Sequence, residues 1–417
     1  MSFLSYTSAM ARVVMKFGGT SVADAERLNR VAARLIERAK SGDDVVAVVS
    51  AMGKVTDDLI TQAEQITPSP SKRELDMLLS TGEQVTIALL AMAIQQQGYE
   101  AISFTGSQVG IVTDAVYSKA RIVRIDAACV LTALAQKKIV IVAGFQGRTL
   151  DGQITTLGRG GSDTTAVALA AGIKADACEI YSDVDGIYSA DPRIVSKARK
   201  IDYVSYEEML EMAASGAGVL AMRSVEFARN FDVVMHCRSS FAPSDQMGTI
   251  VTGEDSNMED AVVSAVTHDT GEAKITIRGV PDRPGVAATV FDILGQNNVN
   301  VDMIIQNVSD AGLTDISFTV PEADINSVSS ALEIAMKEIG ARTWNIDKDI
   351  AKVSIVGAGM KTHPGITARM FKTLADKGIN IDIISTSPIR VSCIIAADQT
   401  KEAVRALHTA FELDLDD

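Results

Sequence analysis

The feature that most restricts the fold is an internal repeat toward the C-terminal end. AKITIRGV at 273–280, RPG at 283–285 and VFDILGQNNVNVDMI at 290–304 recur as AKVSIVGA at 351–358, HPG at 363–365 and MFKTLADKGINIDII at 370–384. Pro284 and Pro364, Gly285 and Gly365, Phe291 and Phe371, Asn300 and Asn380, and Asp302 and Asp382 pair at one constant offset. Such self-similarity marks a duplicated structural unit. Each copy reads as a strand, a Pro-Gly turn, an amphipathic helix, two strands and a further helix. Val290, Ile293 and Leu294 recur at helical spacing. This predicts two small antiparallel sheets backed by helices. The polar Pro-Gly turns and Asn-x-Asp segments fit either plain turns or a pair of equivalent polar sites.

Upstream the pattern changes. Strand-like runs at 13–17, 45–49, 101–104, 139–143 and 179–182 alternate with helix-like segments, as in a mostly parallel sheet covered by helices. The pattern lapses in MGTIVTGEDSNMED at 247–260, where the domain boundary is placed. The expected division is an N-terminal extension at 1–12, an α/β domain at 13–258 and two α+β repeats at 262–345 and 346–417. AVVSAV at 261–266 suits either small sheet. At 417 residues the chain exceeds the roughly 250–300 residues at which single cores stop growing, so several domains are required.

The net charge of −14 leaves no basic stripe for a nucleic-acid backbone, which argues against nucleic acid as a partner. Anionic substrates must be met by local cations. Cys129, Cys178, Cys237 and Cys393 lack CxxC spacing and the four histidines do not cluster with them, which reads as reduced thiols and no zinc site. No apolar run approaches the roughly 20 residues of a membrane span, and 1–12 lacks a charged start followed by an apolar stretch. A cytoplasmic chain without a membrane partner is expected.

Three motifs carry chemistry. VMKFGGTS at 14–21 runs a buried strand into Gly18 and Gly19, so backbone N–H groups can face an anion while Lys16 reaches a phosphate. A plain Gly-Gly turn is the competing reading. TTLGRGGSDTTA at 155–166 sets Arg159 among three glycines before a helix-like run, with Ser162 and Asp163 where an N-cap belongs. A guanidinium so placed suits bidentate capture of a carboxylate. SDVDGIYSADPR at 182–193 is a loop dense in Asp, Gly and Pro without the spacing of an EF-hand, and it suits nucleotide contact. SAMGKVT at 50–56 and STGE at 80–83 read as further loops at strand ends, converging on one crevice. No G-x-x-x-x-G-K-[ST] occurs, and VSIVGAG at 353–359 has Thr362 where a dinucleotide fingerprint needs glycine.

In this order KFGGTS, SAMG, STGE, GFQG, TTLGRGGSDTTA and SDVDGIYSADPR resemble the aspartate kinases of the amino-acid kinase superfamily, from about Val13 to the C-terminus. The tail resembles the tandem ACT domains of the form inhibited by lysine plus threonine. The resemblance implies phosphorylation of L-aspartate by ATP with Mg²⁺. It opens the route to lysine, threonine, methionine and diaminopimelate. It implies Lys16 and Asp163 as catalytic, with Thr56, Glu83, Arg159 and Ser162 on aspartate. Lys16, Phe17, Gly18, Gly19, Ser182, Asp183, Gly186, Tyr188 and Asp191 would line the nucleotide. Effectors would meet Asp282, Pro284, Gly285, Val286, Ala287, Asn300, Asp302 and Gln306 in the first repeat, and Ile366, Thr367, Asn380 and Ile381 in the second. No residue is assigned to a metal.

The family pattern also implies a homo-oligomer, with a shorter subunit started internally near Met258 as one form. Two departures stand out. Gly218 occupies the place of a nucleotide-binding lysine, for which Arg223 is a neighbouring substitute, and Pro388 stands where relatives carry glutamate. The rival readings are a regulatory protein with a decayed kinase domain and a kinase for another amino-acid carboxylate.

Overall fold

The computed structural model describes residues 11–253, 262–297, 299–307 and 312–414. Met258 and the first ten residues lie outside them, and with them the expected internal start and most of the N-terminal extension. The chain forms two compact units. One holds the chain to Ile187, Lys200–Ala213 and Gly218 to the boundary; the other holds Tyr188–Arg199, Ala214–Ala217 and the remainder.

The first unit is built on eight strands: β1 (Arg12–Phe17), β2 (Asp44–Val49), β3 (Ala101–Phe104), β4 (Ile139–Ala143), β5 (Ala177–Ser182), β6 (Tyr203–Ser205), β7 (Met235–Ser239) and β8 (Thr249–Thr252). They lie in the order β6-β8-β7-β5-β1-β2-β4-β3, and the only antiparallel pair among them is β7 with β8. Val45–Val49 and Ile139–Ala143 are unbroken apolar runs because strands of a doubly covered parallel sheet are buried on both faces. Each fully buried Val or Ile contributes roughly 1.5–3 kcal/mol.

Helix α1 (Ala25–Lys40) starts where the Asp24 side chain accepts from the Arg27 N–H. It buries Leu28, Val31 and Leu35 against Val13, Met15 and Phe17 of β1 and against Leu90 and Ile94 of helix α3 (Lys72–Gln96). Strand alternation therefore turns Val14 and Lys16 to the opposite face, where helix α4 (Gly161–Ile173) packs on β1. Helix α2 (Val55–Ile66) follows β2. By length and composition the 25-residue α3 could cross a membrane, contrary to the sequence expectation. Its buried face nevertheless includes Asp76 and Glu83, and it packs on α1 and the sheet as a core helix.

The second unit holds two antiparallel sheets. Strands β9 (Ala265–Asp269), β10 (Glu272–Pro281), β11 (Ile304–Gln306), β12 (Leu313–Pro321), β13 (Thr343–Asp347), β14 (Ile350–Val356), β15 (Ile383–Ser387) and β16 (Arg390–Ala396) divide as β11-β12-β10-β13 and β9-β14-β16-β15. The helices are α5 (Val286–Gln296), α6 (Ile325–Ile339), α7 (Ile366–Asp376) and α8 (Thr400–Ala410). The expected boundary between residues 345 and 346 does not separate these sheets. Strand β9, before the first repeat, pairs with β14 of the second, and β13 runs to Asp347 within the first. In the first repeat β13 follows α6 and covers the edge of β10. In the second, no described strand follows α8, so β9 covers the edge that β14 would otherwise expose.

Two lysines at the same place in each repeat cross between them. Lys274 Nζ lies 2.5 Å from Asp382 of the second repeat, and Lys352 Nζ lies 2.6 Å from Asp302 of the first. Lys352 is 1% exposed and also meets Glu272 at 2.5 Å and the Ala214 carbonyl at 3.1 Å. Burial works against its ammonium, but Glu272 and Asp302 outweigh it and raise its pKa. Removing one partner of a buried cluster strands the opposite charge at about 3–5 kcal/mol, whereas an exposed pair gives about 0–1 kcal/mol. Lys352→Ala is expected to lower the melting temperature far more than Lys274→Ala, a difference that thermal denaturation of the two variants measures.

Candidate functional site

The carboxyl ends of β1, β2, β4 and β5 deliver KFGGTS, SAMG, GFQG and SDVDG to one rim of the sheet, where β1 is the point at which the chain turns from one side to the other. Lys16, near the end of β1, lies 2.5 Å from Asp163 Oδ1, and both side chains are about nine-tenths buried. Gly18 lies directly over the ammonium: a Cβ there would sit 3.6 Å from Lys16 Nζ. The Gly53 N–H donates to the Gly19 carbonyl at 3.0 Å, stitching the KFGGTS and SAMG loops together. A Cβ on Gly19 would press the Ala51 and Gly53 carbonyls at 2.9 and 3.0 Å. The Phe17 ring is core, stacked 4.8 Å from Tyr181, so only its backbone can face a ligand.

Ser162 and Asp163 are not N-caps. Helix α4 begins at Gly161, whose N–H donates to the Gly158 carbonyl at 3.0 Å, and Gly160 takes the cap position at φ 67° with no side-chain cap, which leaves the Ser162 and Asp163 N–H groups to face an anion. The left-handed backbone and the nearness of Ala221, 2.2 Å from an added Cβ, both require glycine at 160. Ser50 Oγ donates to Ser162 Oγ at 3.0 Å, joining the β2 loop to the start of α4. Arg159 is exposed and makes no hydrogen bond or ion pair with any described residue. Thr56 lies in the first turn of α2, which also lacks a side-chain cap.

STGE is not a strand-end loop. Ser80–Glu83 lie in the middle of α3, and Gly82 is small because Ala51 approaches it: an added Cβ would be 2.8 Å from the Ala51 Cβ. The close approach lets the Ala51 N–H donate to Glu83 Oε1 at 3.2 Å. Oε2 is buried and has no partner among the described residues. Burial is the main cause that pushes the Glu83 pKa up to about 7.

Asp76, about two turns before Glu83 on the same face of α3, was not singled out from sequence. It is fully buried and accepts from the Ser118 and Thr156 N–H groups and the Thr156 hydroxyl, fixing the segment that leads to Arg159. A carboxylate in an apolar helical stretch was its only signal. Arg223 donates to the Leu157 carbonyl at 3.1 Å, on that same segment. At exposed Gly218 nothing lies within 4 Å of an added Cβ.

After β5, Ser182 Oγ accepts from the Val184 N–H, Asp183 is exposed, and Gly186 lets Thr249 and Lys200 pack close. Tyr188 and Asp191 belong to the second unit, where Asp191 holds Arg193 at 2.8 Å.

In the first repeat Asp282, Pro284, Gly285, Val286, Ala287 and Gln306 line a cavity of about 340 Å³. Helices α5 and α7 both begin after a left-handed glycine, Gly285 at φ 95° and Gly365 at φ 96°, with no side-chain cap. Equivalent turns thus present equivalent free amides. Asn300 and Asp302 do not line the cavity; Asp302 is turned to Lys352 instead. In the second repeat Ile366 and Ile381 pack against the core, while Thr367 and Asn380 flank them at either end of α7.

A glycine-lined lysine at the switch point of a parallel sheet, followed by paired α+β repeats, defines an amino-acid kinase with a regulatory tail. The Amino acid kinase family profile matches residues 11–239, and ACT domain profiles match 275–340 and 353–411. An aspartokinase of Mycolicibacterium smegmatis is 53% identical over 413 residues, covering 98% of both chains. E. coli aspartokinase III in complex with aspartate and ADP superposes with a TM-score of 0.82 at 26% identity, over 95% of this chain and 99% of that one. The same protein with lysine and aspartate gives 0.71 at 26% identity, over 96% and 99%. The chain belongs to the aspartokinase family and is an aspartate kinase.

Glu83 has a consequence for stability. Its folded-state pKa lies above the ordinary 4.5, so its contribution is present below about pH 4.5 and is lost as pH rises through about 7. At pH 8 the ionised group costs about 3 kcal/mol. Without ligands, Glu83→Gln should melt no lower than the parent at pH 8 and gain less, or nothing, at pH 5. Thermal scans at both pH values check this.

Proposed function

We propose that the enzyme transfers the γ-phosphoryl group of ATP to the side-chain carboxylate of L-aspartate at the rim of β1, giving ADP and 4-phospho-L-aspartate. The observation that carries this is the buried Lys16–Asp163 pair beneath the glycine loops. A carboxylate oxygen attacks phosphorus as the bond to the β–γ bridging oxygen breaks, and ADP leaves with that electron pair. The acceptor has an ordinary pKa of about 3.9, so it is already ionised and needs no general base. Catalysis then rests on position and neutralised charge.

In this reading Lys16 moves from Asp163 to the transferring phosphoryl group, and the amides of Gly19, Ser162 and Asp163 donate to phosphate oxygens beside Gly18, whose own N–H is held by the Tyr181 carbonyl. Arg159 takes the α-carboxylate of aspartate. The partnerless Oε2 of Glu83 takes its ammonium, which draws Glu83 into its ionised form. Thr56 and Ser162 complete the substrate contacts. Ser182, Asp183 and Gly186 line the nucleotide. No group of three or more metal-ligating side chains gathers among the described residues, so Mg²⁺ would be held by the ATP phosphates, whose charge it offsets.

The effector reading follows the repeats. Lysine, threonine or both would seat a carboxylate on the free amides after Gly285, inside the cavity bounded by Asp282 and Gln306. The complex of E. coli aspartokinase III with lysine supports an amino-acid ligand. The reaction would be the first step toward lysine, threonine, methionine and diaminopimelate, in a cytoplasmic homo-oligomer.

Lys16→Ala should lower kcat by 10³-fold or more, as expected for a lost charge on a transferring phosphoryl group, with an unchanged circular dichroism spectrum. Near-normal turnover in a coupled ADP-release assay would refute the assignment. Asp302→Ala removes one partner of Lys352 and is expected to weaken inhibition by lysine plus threonine at least several-fold while turnover persists. Inhibition curves with each amino acid alone and with both together supply the comparison.

A further inference from the structure

Within the first unit a series of hydrogen bonds ends at the glycine loop after β1. Arg27, in the first turn of α1, donates from its guanidinium to the Thr20 carbonyl at 2.6 Å. The N–H that shares a peptide plane with that carbonyl belongs to Ser21, and it donates to the Gly18 carbonyl at 2.9 Å. The N–H in the Gly18 plane is that of Gly19, which donates to no described residue. A trans peptide points its C=O and N–H in opposite directions, so these groups run head to tail from the cation to Gly19. A second series ends one residue on. The Asp58 N–H donates to the Lys54 carbonyl, the Val55 N–H to Met52 and the Gly53 N–H to Gly19, each at 3.0 Å, and the Thr20 N–H closes the line without a described acceptor. That series starts in the first turn of α2, so Thr20 extends the positive end of its dipole.

The turn keeps its shape without Arg27. Ser21 Oγ is 2.6 Å from Ser240 Oγ, the Gly53 N–H holds the Gly19 carbonyl, and the Tyr181 carbonyl holds the Gly18 N–H. What Arg27 adds is charge. Among the donors of the two series it alone is a side chain, and it alone is ionised. Hydrogen bonds in series polarise one another, so a cation on the first carbonyl makes the last N–H a stronger donor. The guanidinium is kept in place by Asp24 at 3.4 Å and by the Phe241 ring, whose centroid lies 5.5 Å away.

We propose that Arg27 is a positioning residue for the nucleotide phosphates, which it does not touch: through Ser21 it orients and polarises the Gly19 amide that meets them. The inference rests on the reading that Gly19 donates to a phosphate oxygen. Bound and transferring phosphate gain alike from a stronger donor, so the effect falls on KM for ATP rather than on kcat. Aspartate, whose contacts lie on other loops, is spared. Arg27 is 38% exposed, and solvent screening keeps the effect modest.

The test uses the full-length enzyme with Mg²⁺·ATP. Arg27→Met keeps the stem but neither the charge nor the donor, and it is expected to raise KM for ATP about three- to tenfold, the worth of one net hydrogen bond. KM for aspartate should stay within about twofold. Arg27→Lys restores a charged donor and should fall between Arg27→Met and the parent. Asp24→Asn keeps an N-cap on α1 and should leave KM for ATP within about twofold, which separates the relay from the start of the helix. Thermal scans establish that each variant is folded. The proposal is overturned by an unchanged KM for ATP in folded Arg27→Met, by an equal rise for both substrates, by Arg27→Lys no better than Arg27→Met, or by Asp24→Asn as damaging as Arg27→Met. Near-normal turnover in Lys16→Ala would instead overturn the phosphate reading of the loop itself.

Discussion

The ion pair between Lys16 and Asp163 is the constraint around which the catalytic unit is organised. An ammonium and a carboxylate this deeply buried are tolerable only in each other's company, because each alone would lose several kcal/mol of hydration. The pair can form only if β1 ends where α4 begins. That in turn requires β1 to sit in the middle of the sheet, with β5 on one side and β2 on the other. Asp163 keeps the Lys16 ammonium at the rim with little solvent around it.

Close approach between backbones does the rest. Gly19 admits the carbonyls of the β2 loop, Gly82 admits Ala51, and Gly144 leaves room for Ser162, 2.7 Å from an added Cβ. Each contact brings a polar group to the rim without a long side chain to hold it. Rigidity there matters because phosphoryl transfer depends on geometry more than on covalent help. The half-paired Glu83 is the exception, a group left unsatisfied at a cost to stability.

The regulatory unit obeys a different logic. Its two repeats are not beads on a string: β9 is lent to the second sheet, and Lys274 and Lys352 reach across to the aspartates of the opposite copy. Lys352 also holds the Ala214 carbonyl, on a segment from the catalytic part of the chain. Ser189 of the Tyr188–Arg199 segment is bonded likewise to His408 of the second repeat.

Local pattern determined what the sequence could determine. Unbroken apolar runs announced the buried parallel strands, and a duplicated Pro-Gly turn announced two equal repeats. Glycine-rich motifs after strands marked the rim, since backbone and side-chain chemistry at a strand end is a short-range property. Only the tertiary structure decided that Ser80–Glu83 lie on a helix, because the glycine that suggested a turn serves a contact with Ala51. It also decided which sheet takes Ala265–Asp269 and that Asp302 faces Lys352 rather than the cavity. Those outcomes depend on which distant partner best satisfies an open edge or a buried charge. Spacing along the chain carries no record of that competition.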